Sequence, residues 1–155
     1  MIDVFALAVM CTPNVAPETM QAIVRHESAA NPYAINVNGP VTLSRQPQNA
    51  AEAIAIAERL AAEGHSFDSG LTQINSVNVR RFGVTWSTVF DPCQNLQLGA
   101  RVLIDCYARA SSSPTEVQRA LAMALSCYNT GNLSAGFDNG YVRRVYHAAE
   151  QQRPK

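Results

Sequence analysis

Apolar residues recur at helical spacing along most of the chain. In the segment PETMQAIVRHESAA, Pro17 stands where a helix can begin, because proline is well tolerated in the first helical turn. The residues that follow on one face of this predicted helix are Met20, Ile23, Val24 and Glu27. The pattern therefore predicts a helix whose inward stripe ends in a carboxylate.

Two more helices are predicted in the first half of the chain. A short N-terminal helix is expected to be capped by Asp3 and to pack Phe5, Leu7 and Ala8 inward. The segment NAAEAIAIAERLAAEG has the same periodicity and ends at Gly64, as a glycine C-cap would require. The N-terminal segment lacks the basic start of a secretory signal, which is typical of a mature or trimmed form.

The second half of the chain predicts three helices. The first begins at Asp91-Pro92 and carries apolar residues to Tyr107. The next opens with a capping box in residues 113–116 and packs Val117 and later residues inward as far as Tyr128. A last helix covers Tyr141 to Glu150.

Two regions without helical periodicity, 31–48 and 66–76, are rich in Asn, Ser, Gly and Pro. Loops on a helical scaffold are where functional sites usually lie. The chain has 155 residues, the usual size of one domain. We therefore predict a single, mainly α domain over residues 1–155, with a small loop or β-like region that lines a substrate cleft.

Charge and hydropathy exclude several classes of partner. Lys and Arg number 12, and Asp and Glu also number 12, so no excess charge favours nucleic acid or an anionic membrane surface. No apolar run approaches the length of a membrane span. The expected partners therefore include no nucleic acid, and we expect no integral membrane segment.

The cysteines are Cys11, Cys93, Cys106 and Cys127, an even set without a Cys-x-x-Cys pair. Disulfides in an oxidising compartment are one interpretation, and four small buried side chains in a reduced protein are the other. Cys106 and Cys127 fall on consecutive predicted helices, and antiparallel packing would bring them together. We predict Cys106–Cys127 and Cys11–Cys93, although four cysteines allow three pairings.

Glu27 is the only acid between residues 24 and 39, and it follows apolar residues on its helix. An apolar setting penalises the charged form of a carboxyl group, so such a glutamate can stay protonated near neutral pH and act as a proton donor. The alternative is a helix-end glutamate that bonds a backbone amide or pairs with an arginine.

Three short motifs occur in order: Glu27-Ser28, GLTQIN at residues 70–75, and YNTG at residues 128–131. They resemble the Glu-Ser, Gly-Leu-Met-Gln-Ile and Ala-Tyr-Asn-x-Gly motifs of the lysozyme-like lytic transglycosylases. Together with NPYAIN, FDPCQNLQLGA and GYVRRV, they are similar in particular to the branch attached to type IV secretion and conjugation machines. The similarity runs from about Cys11 to about Val145.

This resemblance implies an α+β lysozyme-like fold and an enzyme that cleaves the β-1,4 bond between N-acetylmuramic acid and N-acetylglucosamine in peptidoglycan. Glu27 would act as acid and then as base, and the product would carry a 1,6-anhydromuramic end. Such substrate assistance departs from the usual pair of carboxylates. The enzyme would reside in the periplasm and open the cell wall for a secretion apparatus, with components of that apparatus as further partners.

The resemblance also implies roles for polar residues of the motifs. We expect those that bind sugar or brace the loops to be Ser28, Gln73, Asn75, Tyr128 and Asn129. Two departures occur: Thr72 stands where the family prefers a methionine that lines the site, and Cys127 stands where alanine is usual. The insert between Asn36 and Asp68 is longer than in soluble relatives and is expected to form part of the cleft wall.

Asp68 permits a second mechanism. FDSGLTQINS also resembles the segment of animal-type lysozymes that carries their second carboxylate, and two acids would allow ordinary hydrolysis. The alternative role for Asp68 is to brace the turn through the amides of Gly70 or Leu71. A hydrolytic muramidase that uses Glu27 and Asp68 therefore stays open.

Other classes of function are less well supported. A lysozyme-like fold that binds glycan without cleaving it would serve as an assembly scaffold, but the retained Glu27 argues against it. A zinc peptidase of the His-Glu-x-x-His type would need a second histidine at position 30, where this chain has Ala30. We predict no metal and no cofactor. Trp86 could stack on a sugar, but a place in the core or at an interface is the stronger prediction.

Overall fold

The computed structural model describes residues 1–112 and 115–151. They form two compact units, residues 1–99 and the described residues from Ala100 onwards. The first unit contains α1 Val4–Cys11, α2 Pro17–Ser28, β1 Ile35–Val37, α3 Ala50–Ala62, β2 Phe67–Ser69, β3 Ile74–Asn75, α4 Ser76–Phe82, α5 Trp86–Val89 and the start of α6 Pro92–Ala110. The second contains the rest of α6, α7 Val117–Thr130, α8 Ala135–Asp138 and α9 Tyr141–Gln151. The predicted mainly helical fold with a small β region is confirmed, whereas a single domain over residues 1–155 stays a prediction.

The first two helices begin where the sequence predicts. The amide of Ala6 donates to Asp3 Oδ1 at 3.0 Å, which caps α1. Ala8 is buried as expected, but Phe5 is 40% exposed, so its predicted inward packing is wrong. The apolar stripe of α2 is fully buried: Met20, Ile23 and Val24.

A three-stranded antiparallel sheet of order β1-β2-β3 occupies parts of the two predicted loop regions. Its pairing places Ile35 beside Ser69 and Ser69 beside Ile74, and this row is buried. Because alternate residues of a strand face opposite sides, the neighbouring row points the other way. We call this second row, Asn36, Asp68 and Asn75, the outer row.

The inner side of the sheet packs against α3 and α5. Phe67 of β2 is fully buried in a cluster with residues of both helices, among them Leu60. The Trp86 ring stacks on Phe67 with 5.0 Å between ring centroids. Trp86 is therefore partly buried and packs against this core cluster.

Both predicted disulfides are present. Cys11–Cys93 connects α1 to the first turn of α6 within the first unit. Cys106–Cys127 connects α6 to α7 within the second unit. The predicted pairing is confirmed, and the interpretation of reduced cysteines is wrong for this structure.

The start of α7 differs from the prediction. Two residues of the predicted capping box, Ser113 and Pro114, lie outside the described residues. The helix begins at Val117, with Glu116 at the N-cap and no hydrogen bond from its side chain to the helix. Val117 is 68% exposed, so its predicted inward packing is wrong. In the part of the chain that the structure describes, no helix is long and apolar enough to cross a membrane.

Candidate active site

Glu27 is the penultimate residue of α2 and is half-buried, one turn after the buried Ile23 and Val24. The helix ends immediately after it, because Ala29 adopts a left-handed conformation with φ 52°. A half-buried carboxyl group beside an apolar stripe at a helix end is thus held on ordered backbone.

Ser28 ties this helix end to the turn that follows β2. Its Oγ lies 2.8 Å from the carbonyl oxygen of Leu71 and 3.2 Å from that of Val24. The hydroxyl has one proton, so these two carbonyls share it. The contact with Leu71 joins residues 43 positions apart in the chain and fixes Glu27 relative to the turn.

The turn Gly70–Gln73 is closed by its own hydrogen bonds. The Gly70 amide donates to the Ala34 carbonyl at 2.8 Å, and the Gln73 amide donates to the Gly70 carbonyl at 3.1 Å. Gly70 has φ +81°, a conformation that side chains rarely adopt. The Gln73 Nε2 group donates to the carbonyls of Ala34 and Gly70 at 3.1 and 3.0 Å. Its Oε1 accepts from Asn36 Nδ2 at 2.8 Å, so the Gln73 amide braces the turn.

Asn95, in the first turn of α6, lies under this turn and is only 1% exposed. Its Nδ2 donates to the carbonyls of Val89 and Ser69 at 2.8 and 3.3 Å. Its Oδ1 accepts from the amide and the hydroxyl of Thr72 at 2.9 and 2.7 Å. A Cβ at Gly70 would overlap the Asn95 amide. The turn is therefore shaped around one buried side chain whose donors and acceptor are all used.

Residue 72, where the family prefers a methionine that lines the site, does not reach the surface in this chain. Thr72 is fully buried. Besides its bonds to Asn95, it contacts the backbone of Gly99, where a Cβ would approach the Thr72 side chain to 2.7 Å. Unlike the methionine that the family prefers here, Thr72 has a hydroxyl group, which donates to Asn95 Oδ1 and so helps to hold the turn.

Asp68 lies at the centre of the outer row. Its Oδ1 accepts from Asn75 Nδ2 at 2.9 Å, and Asn38 donates a second side-chain hydrogen bond. Burial raises the pKa of the Asp68 carboxyl group above its usual value, and the two amide donors only partly oppose this. Asn75 also caps α4, since its Oδ1 accepts from the Val77 amide at 3.0 Å. Asp68 is therefore less acidic than an ordinary aspartate.

The second unit carries the third motif at the end of α7. Tyr128 is half-buried, Asn129 is exposed, and the helix ends at Gly131 with φ +77°. The Oδ1 of Asn129 accepts from Asn139 Nδ2 at 2.8 Å. This contact orients the Asn129 side-chain amide.

Contacts around the last turn of α7 hold this motif in place. Cys127, which precedes Tyr128, is bonded to Cys106. The Arg109 guanidinium donates to Cys127 Sγ and to the Gly131 carbonyl, both at 3.3 Å. Residues 1–112 and 115–151 contain no group of three or more His, Cys, Asp or Glu placed to hold a metal ion.

Similarity to known proteins identifies the family. The family model described as "Transglycosylase SLT domain" matches residues 5–151. The chain belongs to this family. It is 44% identical to the "Type IV secretion system protein virB1" of Brucella abortus, over 97% of this chain and 65% of that protein. It is 42% identical to "Protein virB1" of Agrobacterium fabrum, over 93% of this chain and 58% of that protein.

The SLT domain described here thus spans somewhat less than two thirds of the length of these relatives. No solved structure matches the chain.

Within this SLT domain, five of the predicted site residues fall in the first unit: Glu27, Ser28, Asp68, Gln73 and Asn75. Tyr128 and Asn129 fall in the second. In the first unit, hydrogen bonds connect Ser28 to the turn and Asp68 to Asn75. The bonds of Ser28 and Gln73 to backbone carbonyls favour a bracing role for both over direct sugar contact.

Sequence reasoning missed Asn95 and Asn139 as residues that support the motif segments of the two units. Asn95 did give a signal, since it is a polar residue on the same helical face as Gly99 and Val102. A polar residue on a buried face requires hydrogen-bond partners. Asn139 gave no such signal, because it follows a short helix in an exposed segment.

Proposed function

We propose that this domain is a peptidoglycan lytic transglycosylase that cleaves the β-1,4 bond between N-acetylmuramic acid and N-acetylglucosamine. The observation that carries the proposal is the position of Glu27, at a helix end beside buried apolar residues and tied to the Gly70–Gln73 turn through Ser28. Membership of the SLT family supports the same reaction.

In the proposed reaction, the Glu27 carboxyl group donates its proton to the glycosidic oxygen as the bond from that oxygen to C1 of the muramic residue breaks. The acetamido group of the substrate stabilises the positive charge that develops at C1. The C6 hydroxyl oxygen of the same sugar then bonds to C1, and its proton returns to Glu27. No water is consumed, and the product carries a 1,6-anhydro ring.

The remaining residues act through position. Ser28, Gln73 and Asn95 hold the backbone around Glu27, so that the acid is oriented before substrate binds. Asn129 presents an amide donor oriented by Asn139. We assign Tyr128 and Asn129 to contacts with the substrate and Asn75 to the support of Asp68.

A hydrolytic muramidase is the second candidate, because Asp68, the other predicted catalytic acid, lies in the same unit as Glu27. A second carboxylate that stabilises positive charge must be ionised, as the corresponding aspartate of animal-type lysozymes is in its polar, partly solvated setting. Burial raises the pKa of Asp68, while the amide donors of Asn75 and Asn38 lower it. The ends of the products, anhydromuramic or reducing, decide between the two candidates.

We further propose that the domain acts in the periplasm and opens the cell wall for a type IV secretion or conjugation apparatus. Two relatives named as virB1 proteins support this context. The two disulfides support an oxidising compartment. Components of the apparatus are the proposed protein partners, and the glycan strands are the substrate.

Digestion of purified peptidoglycan, with the products read by mass spectrometry, tests the proposal. The parent protein should release anhydromuramic ends, and Glu27→Gln should cleave about 10²–10⁴-fold more slowly, because the amide has no proton of comparable acidity to donate. Asp68→Asn serves as the comparison variant and should still give anhydro products.

Other outcomes would reject parts of the proposal. Reducing ends from the parent protein would indicate the hydrolase. Intact glycan would indicate a binding scaffold. Equal rates for Glu27→Gln and the parent would show that the acid is wrongly assigned.

A further inference from the structure

A pocket lies in the segment between the first two motifs. It is an open pocket with a volume of about 520 Å³, and it is lined by residues 42–46 and by one face of α3. This volume falls in the range of small-ligand sites, which is about 300–1,000 Å³. The residues that α3 contributes are Glu52, Ala55, Ile56 and Arg59. None of these residues takes part in the proposed cleavage.

One side of the pocket is a closed ion pair. Arg45 donates to both carboxylate oxygens of Glu52, at 3.1 and 3.3 Å. The amide of Gln48 donates to the same carboxylate at 2.8 Å. The negative charge of Glu52 is therefore satisfied within the loop, and it is not directed at a ligand.

Arg59 is the second cation of the pocket and lies two turns after Glu52 on the same face of α3. Among residues 1–112 and 115–151, no carboxylate pairs with its guanidinium group. The pocket thus has one excess positive charge. The apolar side chains of Leu43 and Ile56 pack on the core cluster beside it, so a carboxylate with a short aliphatic group fits this chemistry.

The pocket borders the edge of the sheet. The Gln46 side-chain amide accepts from the Ile35 amide and donates to the Ile35 carbonyl, both at 2.9 Å, as a neighbouring strand would. The residue after Ile35 is Asn36, the first member of the outer row that continues to Asp68 and Asn75. The pocket therefore lies beside β1, the strand that contributes Asn36 to the outer row.

We propose that this pocket binds the C-terminal carboxylate of a peptide stem attached to the glycan strand, with Arg59 as its cation. This inference rests on the proposed function, since peptidoglycan is the polymer that joins sugars to such peptides. The terminal D-alanine of a stem matches the pocket, because its carboxylate meets Arg59 while its methyl group packs on Leu43 and Ile56. The site would favour strands that still carry their peptides.

Calorimetric titration with a free stem tetrapeptide tests the binding step without any cleavage. The parent should bind the peptide with a free C-terminal carboxylate about tenfold more tightly than the C-terminal amide, because a charge-assisted hydrogen bond is lost. Arg59→Gln should weaken binding of the free acid by about the same factor. Arg80→Gln removes an equal charge from the exposed surface of α4 and should bind as the parent does.

Cleavage provides the second arm. Arg59→Gln should lower the ratio of the rate on intact peptidoglycan to the rate on peptide-free strands by about tenfold, whereas Arg80→Gln should keep the parent ratio. Equal binding of acid and amide, no binding of the tetrapeptide, or equal losses in both arginine variants would overturn the pocket assignment. Arg59-dependent binding by a protein that cleaves neither substrate would uphold the pocket and reject the proposed function.

Discussion

Two motif segments, the Gly70–Gln73 turn of the first unit and the end of α7 in the second, are held in different ways. The turn rests on Asn95, whose four hydrogen bonds all lie in the buried interior of the first unit. The end of α7 is held by the Cys106–Cys127 disulfide, by the buried Ser126 hydroxyl, which donates to the Asn132 carbonyl at 2.7 Å, and by surface hydrogen bonds such as that from Arg109 to Gly131. The turn has no covalent link of its own, whereas the end of α7 has one.

The difference follows from how water competes for hydrogen bonds. A buried group that loses its partner has no water to replace it, so the full desolvation cost appears. An exposed group exchanges its partner for water at little cost. The turn should therefore be sensitive to one polar side chain, whereas the end of α7 should tolerate the loss of its exposed hydrogen bonds and be sensitive to its disulfide.

The largest expected effect is that of Asn95→Ala. It leaves the carbonyls of Ser69 and Val89 and the amide of Thr72 buried without their partners, each at about 1–3 kcal/mol. We expect the free energy of unfolding, measured by urea denaturation, to fall by about 4 kcal/mol. Gln94→Ala, at the exposed position before it, is the control and should change this free energy by less than about 0.5 kcal/mol. A loss below about 1 kcal/mol for Asn95→Ala would contradict the role of Asn95.

Removal of the disulfide should have the next largest effect. The Cys106→Ala, Cys127→Ala double variant opens a loop whose ends are 21 residues apart, and loop entropy predicts a loss of about 3 kcal/mol. Arg109→Met keeps the disulfide and removes the exposed hydrogen bonds, so it should cost less than about 1 kcal/mol. If Arg109→Met is the more destabilising change in urea denaturation, the contrast between the two segments is wrong.

The helices and their caps could be predicted because they depend on neighbours in the chain. Met20, Ile23 and Val24 share a face at helical spacing, and Asp3 caps a helix that begins at the next residue. The same pattern failed for Phe5. Periodicity shows which residues share a face, but it does not show whether another element covers that part of the face.

The sheet and the brace under the turn could not be predicted in the same way. The strands contain only two or three residues, which is too short for an alternating pattern to appear. Asn95 contacts Ser69 and Thr72 across 26 and 23 positions of the chain, so only the folded structure identifies its partners. The residues with candidate chemistry were identified by motif, whereas the residues that position them required the fold.

The smallest expected effect concerns Asp68, which lies two residues before Gly70. All donors and the acceptor of the Asn95 side chain under the turn are hydrogen-bonded, whereas the hydrogen bonds to the Asp68 carboxyl group only partly offset its burial. Burial raises the pKa of its carboxyl group in the folded state. The stability that it contributes is therefore fully present below the unfolded-state pKa of about 4 and is lost as the pH rises through the higher folded-state value. Asp68→Asn removes the charge and keeps an oxygen that can accept from Asn75, so it should be more stable than the parent at pH 7 by thermal denaturation. This gain in stability should shrink as the pH falls to about 3, below the ordinary pKa of aspartate. If the variant is instead less stable than the parent at pH 7, the hydrogen bonds from Asn75 and Asn38 outweigh the cost of burial.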